Sequence, residues 1–248
     1  MKYRSTTLFV VLCALLVVLF VVDLLVGSVS IPLRDIFAAL LGGEVTPSTR
    51  LIVVDIRLVK AVVAVLAGMA LSVSGLQMQT LFRNPLAGPY VLGISSGASL
   101  GVALFILGMP LLGIATSSTI SSLGTAGAAW LGSALILAFV ASVSTRIKDI
   151  MVILILGMMI SSGVSAVVQI LQYLSNEEAL KSFVIWTMGS LGDVTTNQLH
   201  LMLPAVLIGL VVSVAVIKPL NLLLLGEQYA RTMGLNVRRS RYLIFLST

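Results

Sequence analysis

Between Asn84 and Thr145 the chain runs 62 residues without one Asp, Glu, Lys or Arg. About a quarter of the residues in a soluble domain are charged, because its surface must be solvated, so a water-facing fold does not accommodate this stretch. The rest of the chain follows suit, with 10% of residues charged and 58% hydrophobic. A net charge of +6 raises nucleic acid as a partner. The cations, however, sit in connectors between apolar runs, and no basic, aromatic reading surface is present. What remains is an integral membrane protein with no nucleic-acid role.

A spanning helix needs roughly 20 apolar residues to cross about 30 Å of hydrocarbon. Residues 7–26 make the first such run. Lys2 and Arg4 precede it as in a signal peptide, but it is long, lacks a small-residue cleavage site and is followed by further spans, so it is read as a retained helix. Continuing along the chain gives six complete spans, near 7–26, 58–81, 91–109, 118–143, 150–173 and 197–217, with a break expected around Gly108–Met109–Pro110. A seventh run starts at Tyr242 and reaches Thr248. Seven residues do not cross a bilayer, so the chain reads as the front part of a longer membrane domain. The predicted fold class is all-α and polytopic, one transmembrane domain over 1–248.

The connectors fall into two sets of opposite charge. One holds ten Lys and Arg (Lys2, Arg4, Arg83, Arg146, Lys148, Lys218, Arg231, Arg238, Arg239, Arg241) against Asp149 and Glu227; the other holds five cations against seven acidic residues. Lys and Arg favour the cytoplasmic side, which puts the N-terminus and the basic segment 218–241 inside and the segments 27–57 and 174–196 outside. Two short outer helices are expected. Ser30 is placed to cap one that has Pro32 near its start, and Trp186, suited to the headgroup region, lies on the other.

Lipid solvates Leu as well as a neighbouring helix does, so helices in a bilayer associate through close contact at small residues. Four runs repeat such residues every fourth position, on one helix face: Ala64–Gly68–Ser72, Gly93–Gly97–Gly101, Gly124–Ala128–Gly132 and Gly157–Ser161–Ser165. They predict a tightly packed bundle.

Candidate chemistry is sparse. The lone His200 reads as structural, and Cys13, the single cysteine, lies in an apolar run. No metal-ligand spacing, nucleophile elbow or Walker phosphate loop occurs, so no catalytic residue, cofactor or metal is expected. Asp23, one turn from the outer end of the first span, reads as structural. Gln169, Gln172 and Tyr173 share one helix face and serve either as helix–helix hydrogen-bonding groups or as pathway lining. Arg57 and Lys60 stand about one turn apart at the mouth of the second span, either as snorkelling anchors or as a docking point for acidic residues of an external partner. The island from Gly226 to Arg241 reads as a short amphipathic helix breaking at Gly234, then a basic turn into the seventh run. An ion-coupled secondary transporter is the alternative function class, but it calls for ionisable residues deep in the spans.

Several ordered motifs resemble the FecCD-type permeases, the membrane subunits of ABC importers for iron–siderophore complexes, haem and cobalamin. They are Asp55–Ile56–Arg57–Leu58–Val59–Lys60 with Ala67–Gly68–Met69–Ala70–Leu71–Ser72 and Gly75–Leu76–Gln77, then Asn84–Pro85–Leu86–Ala87–Gly88–Pro89 with Leu92–Gly93–Ile94–Ser95–Ser96–Gly97, Trp186–Thr187–Met188–Gly189–Ser190–Leu191, and Leu225–Gly226–Glu227 with Ala230–Arg231 and Gly234–Leu235. The resemblance implies a ten-helix subunit in a bacterial cytoplasmic (inner) membrane, paired with a second copy or a paralogue. The substrate pathway would lie between the two, with the fifth helix a main contributor. An ABC ATPase would dock on the cytoplasmic side and a periplasmic or lipid-anchored binding protein outside. Carried over residue by residue, Arg57 and Lys60 would face the binding protein, although Val59 and Lys60 replace the family's Pro-Arg. Leu225, Gly226, Glu227, Tyr229, Ala230, Arg231 and Gly234, within a coupling segment at 218–241, would engage the ATPase. ATP hydrolysis is thus expected in a partner, not in this chain.

Overall fold

The computed structural model describes residues 2–111, 113, 118–144, 146–147 and 149–248. Lys148 and the side chains of Lys2 and Arg4, counted above with the inner connectors, lie outside that description. All regular structure among the described residues is helical. In chain order the helices are α1 (Lys2–Leu25), α2 (Leu33–Leu41), α3 (Pro47–Arg50), α4 (Val59–Phe82), α5 (Ile94–Ala103), α6 (Met109–Leu111), α7 (Ser118–Ser144), α8 (Ile150–Leu174), α9 (Glu177–Met188), α10 (Thr196–Ala215), α11 (Ile217–Leu224), α12 (Glu227–Thr232) and α13 (Val237–Ser247). π-Helical turns at Leu51–Leu58 and Leu104–Gly108 lead into α4 and α6.

Among the described residues, five helices are long and apolar enough to cross a membrane: Thr6–Leu25, Ile94–Leu111, Leu123–Ser144, Ile150–Leu174 and Thr196–Ala215. Each matches an expected span to within a few residues. The expected span at 58–81 is helical too, as the 24-residue α4, but is not among those five. Its second half carries Ser72, Ser74, Gln77, Gln79 and Thr80, and nine of its residues are buried. The expected break at Gly108–Pro110 does not interrupt the helix, which widens to π geometry over Leu104–Gly108 and ends at Leu111. Pro110 falls in the last described turn, where it lacks the N–H that would bond a carbonyl of the preceding turn.

The chain divides into two compact units, Met1–Ala67 with Ser190–Met202, and Gly68–Gly189 with Leu203–Thr248. In the first, Ile36, Ala39 and Val53 form a small buried cluster. Ser30 does not cap α2: the helix starts two residues later than a Ser30 cap requires, with Pro32 itself as N-cap and no side-chain cap bond. In the second unit, a larger core joins Met78, Phe82, Ile153, Val216, Ala230, Ile244 and Phe245. A further cluster holds Val102, Leu107, Val168 and Phe183. Trp186 packs against that cluster, its ring 6.3 Å from Phe183.

Small residues set the helix spacing where α5 meets α7. A Cβ on Gly101 would overlap the Ala128 carbonyl, one on Gly132 the Gly97 carbonyl, and one on Gly157 of α8 the Val91 carbonyl. Gly93, at φ +80°, turns the chain into α5 beside Ser161 and Gly157. The first triplet behaves otherwise. Gly68 has open space around it, and Ser72 is exposed, its hydroxyl donating to the Gly68 carbonyl at 2.7 Å. Gly68 and Ser72 thus stand exposed, whereas Ala64 is half-buried.

Candidate functional site

Three places gather the residues singled out in the sequence. In the first unit, Arg57 arrives on the π-helical turn before α4 and is 6% exposed. Its guanidinium donates to the carbonyls of Leu24 (3.0 Å), Leu25 (3.1 Å) and Val29. The first two are the last carbonyls of α1, which have no partner within the helix and carry the negative end of its dipole. Gly27 makes room: a Cβ there would come within 2.7 Å of the guanidinium. Lys60, one turn on, pairs with Asp23 at 3.0 Å, both partly exposed. Arg57 is therefore turned inward as a cap on α1 and is not presented to an external partner, whereas Lys60 stays accessible.

The second place is a cleft of about 360 Å³ in the second unit, between α5, α8 and α9. Val164, Val168 and Phe183 form its apolar floor, and Ser95, Ser96, Ser99, Ser165, Gln169, Gln172 and Thr187 its polar walls. Ser165 donates to the Ser161 carbonyl and Thr187 to the Val184 carbonyl, the usual back-bonding of a helical hydroxyl. Ser95, Ser96, Ser99, Gln169 and Gln172 show no side-chain hydrogen bond among the described residues. Five unspent polar groups beside helices of membrane-spanning length require water or solute. Gln169 and Gln172 line this cleft; Tyr173 does not, and stands 89% exposed. The serines at the start of α5 were missed, because that stretch reads in sequence as a Gly-rich packing motif.

The third place lies around α12. Helix α11 ends at Leu224, Gly226 at φ +123° redirects the chain, and α12 follows. Ala230 is fully buried in the larger core. On the other side Leu224, Leu225, Tyr229 and Met233 are 49–65% exposed, with Arg231 and Gly234 beside them. Glu227 holds two arginines, Arg231 at 2.7 Å and Arg241 at 2.7 Å. Arg83, from the turn after α4, donates to the Leu223 carbonyl at 2.7 Å. The amphipathic helix and its break, Gly234 at φ +83°, follow the sequence expectation. The basic residues do not form a turn: Asn236 caps α13 through the Arg239 amide, so Arg238, Arg239 and Arg241 already lie on the helix. Of the residues expected to meet an ATPase, Leu225, Tyr229, Arg231 and Gly234 are accessible, while Ala230 faces the bundle and Glu227 is held by arginines. Leu224 and Met233 complete the exposed patch and were not singled out, since apolar residues carry no signal in so apolar a chain.

The chain is 32% identical over 243 residues to the molybdate import system permease protein MolB of Haemophilus influenzae, covering 95% of this chain and 69% of that protein. It is 37% identical over 197 residues to the hemin transport system permease protein HmuU of Yersinia pestis, covering 77% of this chain and 57% of that one. It is 32% identical to the ferric enterobactin transport system permease protein FepG of Escherichia coli over 89% of this chain and 64% of that one. The chain thus spans about 57–69% of the length of these relatives. A solved structure described as an inward-facing conformation of a metal-chelate type ABC transporter superposes with a TM-score of 0.81 at 29% identity, over 98% of this chain and 72% of that one. Residues 15–248 match the FecCD transport family, and the chain belongs to that family.

Proposed function

We propose that the chain forms the transmembrane permease of an ABC importer, moving its solute inward by alternating access while a separate ATPase subunit hydrolyses ATP. The observation that carries this reading is α12. It is a short helix anchored on one side by Ala230, and it offers Leu225, Tyr229 and Met233 on the other to a groove in a partner. In this reading α4 is the sixth span beside the five above, α13 begins a seventh, and the whole subunit has ten. The N-terminus and segment 218–241 face the cytoplasm across a bacterial inner membrane. A second copy or paralogue closes the pathway against the polar side of α8, and a periplasmic or lipid-anchored binding protein docks outside.

The cleft of Ser96, Ser99, Gln169 and Gln172 is the pathway lining in this reading. It presents neutral donors and acceptors without charge, suited to the oxygen-rich surface of an iron chelate, haem or cobalamin. The likeness to a molybdate permease adds a free oxyanion to that class. Outer docking rests on Lys60 rather than Arg57: Lys60→Glu lowers binding-protein affinity, and more so at low salt.

The experiment is co-expression of the permease with a cognate ATPase and binding protein, then reconstitution in liposomes. The ATPase is expected to co-purify, and import of hemin, molybdate and a ferric hydroxamate is measured one at a time. Ala230→Asp, which places a charge in the core under α12, is expected to abolish ATPase retention. Solute accumulation by the permease alone, driven by an ion gradient, would overturn the reading.

A further inference from the structure

Beside the apolar anchor of Ala230, a buried arginine ties helix α12 to two other elements of its unit. Arg241 lies on the second turn of α13, its side chain 8% exposed. One arm of its guanidinium donates to Glu227 Oε2 of α12 at 2.7 Å. The other donates to the Ile147 carbonyl at 3.2 Å, in the connection between α7 and α8. Three elements distant in sequence thus meet on one planar group. The second ion pair of Glu227, to Arg231, lies within α12 and is largely solvent-exposed, so it ties the helix only to itself.

We infer that Arg241 is a positioning residue that transmits displacement of α12 to the α7–α8 connection, and so to the cleft. Three physical points support this. A buried arginine resists separation from its carboxylate, because its charge left alone would be uncompensated in an apolar setting. Guanidinium is planar, with donors fixed in a fork, so a shift of the carboxylate rotates the whole group and pulls on whatever its other arm holds. Beyond Ile147, Asp149 is the N-cap of α8, its carboxylate accepting from the Met151 amide at 2.9 Å, and the helix runs unbroken from Ile150 to Leu174. Ser165 lies 15 residues along it, about 22 Å at 1.5 Å per residue. A continuous helix transmits a push at one end to its far turns as a rigid body. On the other side Arg83, bonded to the Leu223 carbonyl, steadies the end of α11, so that movement concentrates at the Gly226 turn. Coupling of this kind requires a two-state element biased from both ends, and that part is assigned to α8 with its cleft.

The inference rests on the ATPase reading above, and its test separates the two. The permease is prepared with Cys13→Ala and Ser165→Cys, so that one thiol reports on the cleft, and is assembled with its ATPase in liposomes. Labelling by a polar maleimide is timed without nucleotide and with ATP and vanadate. The parent complex is expected to change its labelling rate at least five-fold. With Arg241→Gln, ATPase co-purification and ATP hydrolysis are expected to stay within two-fold of the parent, while the nucleotide-dependent change in labelling falls below two-fold. Where Arg241→Gln does not assemble, Arg241→Lys is measured instead. It keeps the charge facing Glu227 but lacks the fork that reaches Ile147, and is expected to lose at least half of the response. A full labelling response in any assembled variant overturns the inference. A parent complex that retains no ATPase overturns the ABC reading itself, and shows this before any Arg241 variant is made.

Discussion

Arg57 carries its charge at 6% exposure, and no carboxylate pairs with it among the described residues. What compensates it is the last turn of α1, whose free carbonyls converge on the guanidinium. Charged hydrogen bonds of this kind contribute about 1.5–3 kcal/mol each, so Arg57→Met is expected to lower the thermal midpoint clearly in detergent. The neighbouring Lys60–Asp23 pair is exposed enough that Lys60→Met costs at most about 1 kcal/mol. Circular dichroism melts of the two variants check this: equal losses would mean that Arg57 is not the cap of α1. Residue type alone did not separate the two cations. Both read as surface groups in the sequence, and their different burial depends on where Leu24, Leu25 and Gly27 fall.

At the scale of elements, the seam between α5 and α7 was legible because backbone can approach backbone only at small residues, and Gly97, Gly101, Ala128 and Gly132 repeat at the right spacing. The same spacing at Gly68 and Ser72 falls on exposed residues, since spacing reports a face and not what covers it. Substitution separates the cases. Gly101→Val drives a side chain into the Ala128 carbonyl and is expected to destabilise by about 1–3 kcal/mol. Gly68→Ala meets nothing and removes backbone freedom, so it is expected to be neutral or to stabilise by up to about 1 kcal/mol. Denaturant titration of helicity in micelles reads both. A Gly68→Ala loss as large as that of Gly101→Val would mean that the α4 face is covered after all.

At the scale of the molecule, the cleft and α12 lie towards opposite ends of α8, one offering unspent hydroxyls and amides, the other an exposed apolar patch beside arginines. A solute path needs neutral groups that bind weakly enough to release. Gln169→Leu with Ser99→Ala is therefore expected to reduce import several-fold while leaving ATPase retention unchanged, as read by transport in liposomes and by co-purification. Loss of both together would place these residues in folding rather than in the path.

The sequence by itself determined the medium, the helical class, five of the spans and the short helix after Gly226, because hydropathy, helix length and glycine conformation are local properties fixed within one or two dozen residues. It also carried the family motifs. Only the tertiary structure decided which charges are buried and what they hold: Arg57 on the end of α1, Arg83 on the end of α11, and Arg241 between Glu227 and Ile147. Those partners are 14 to 140 residues apart, and hydrogen bonds over such separations depend on how the helices pack, which no local pattern encodes.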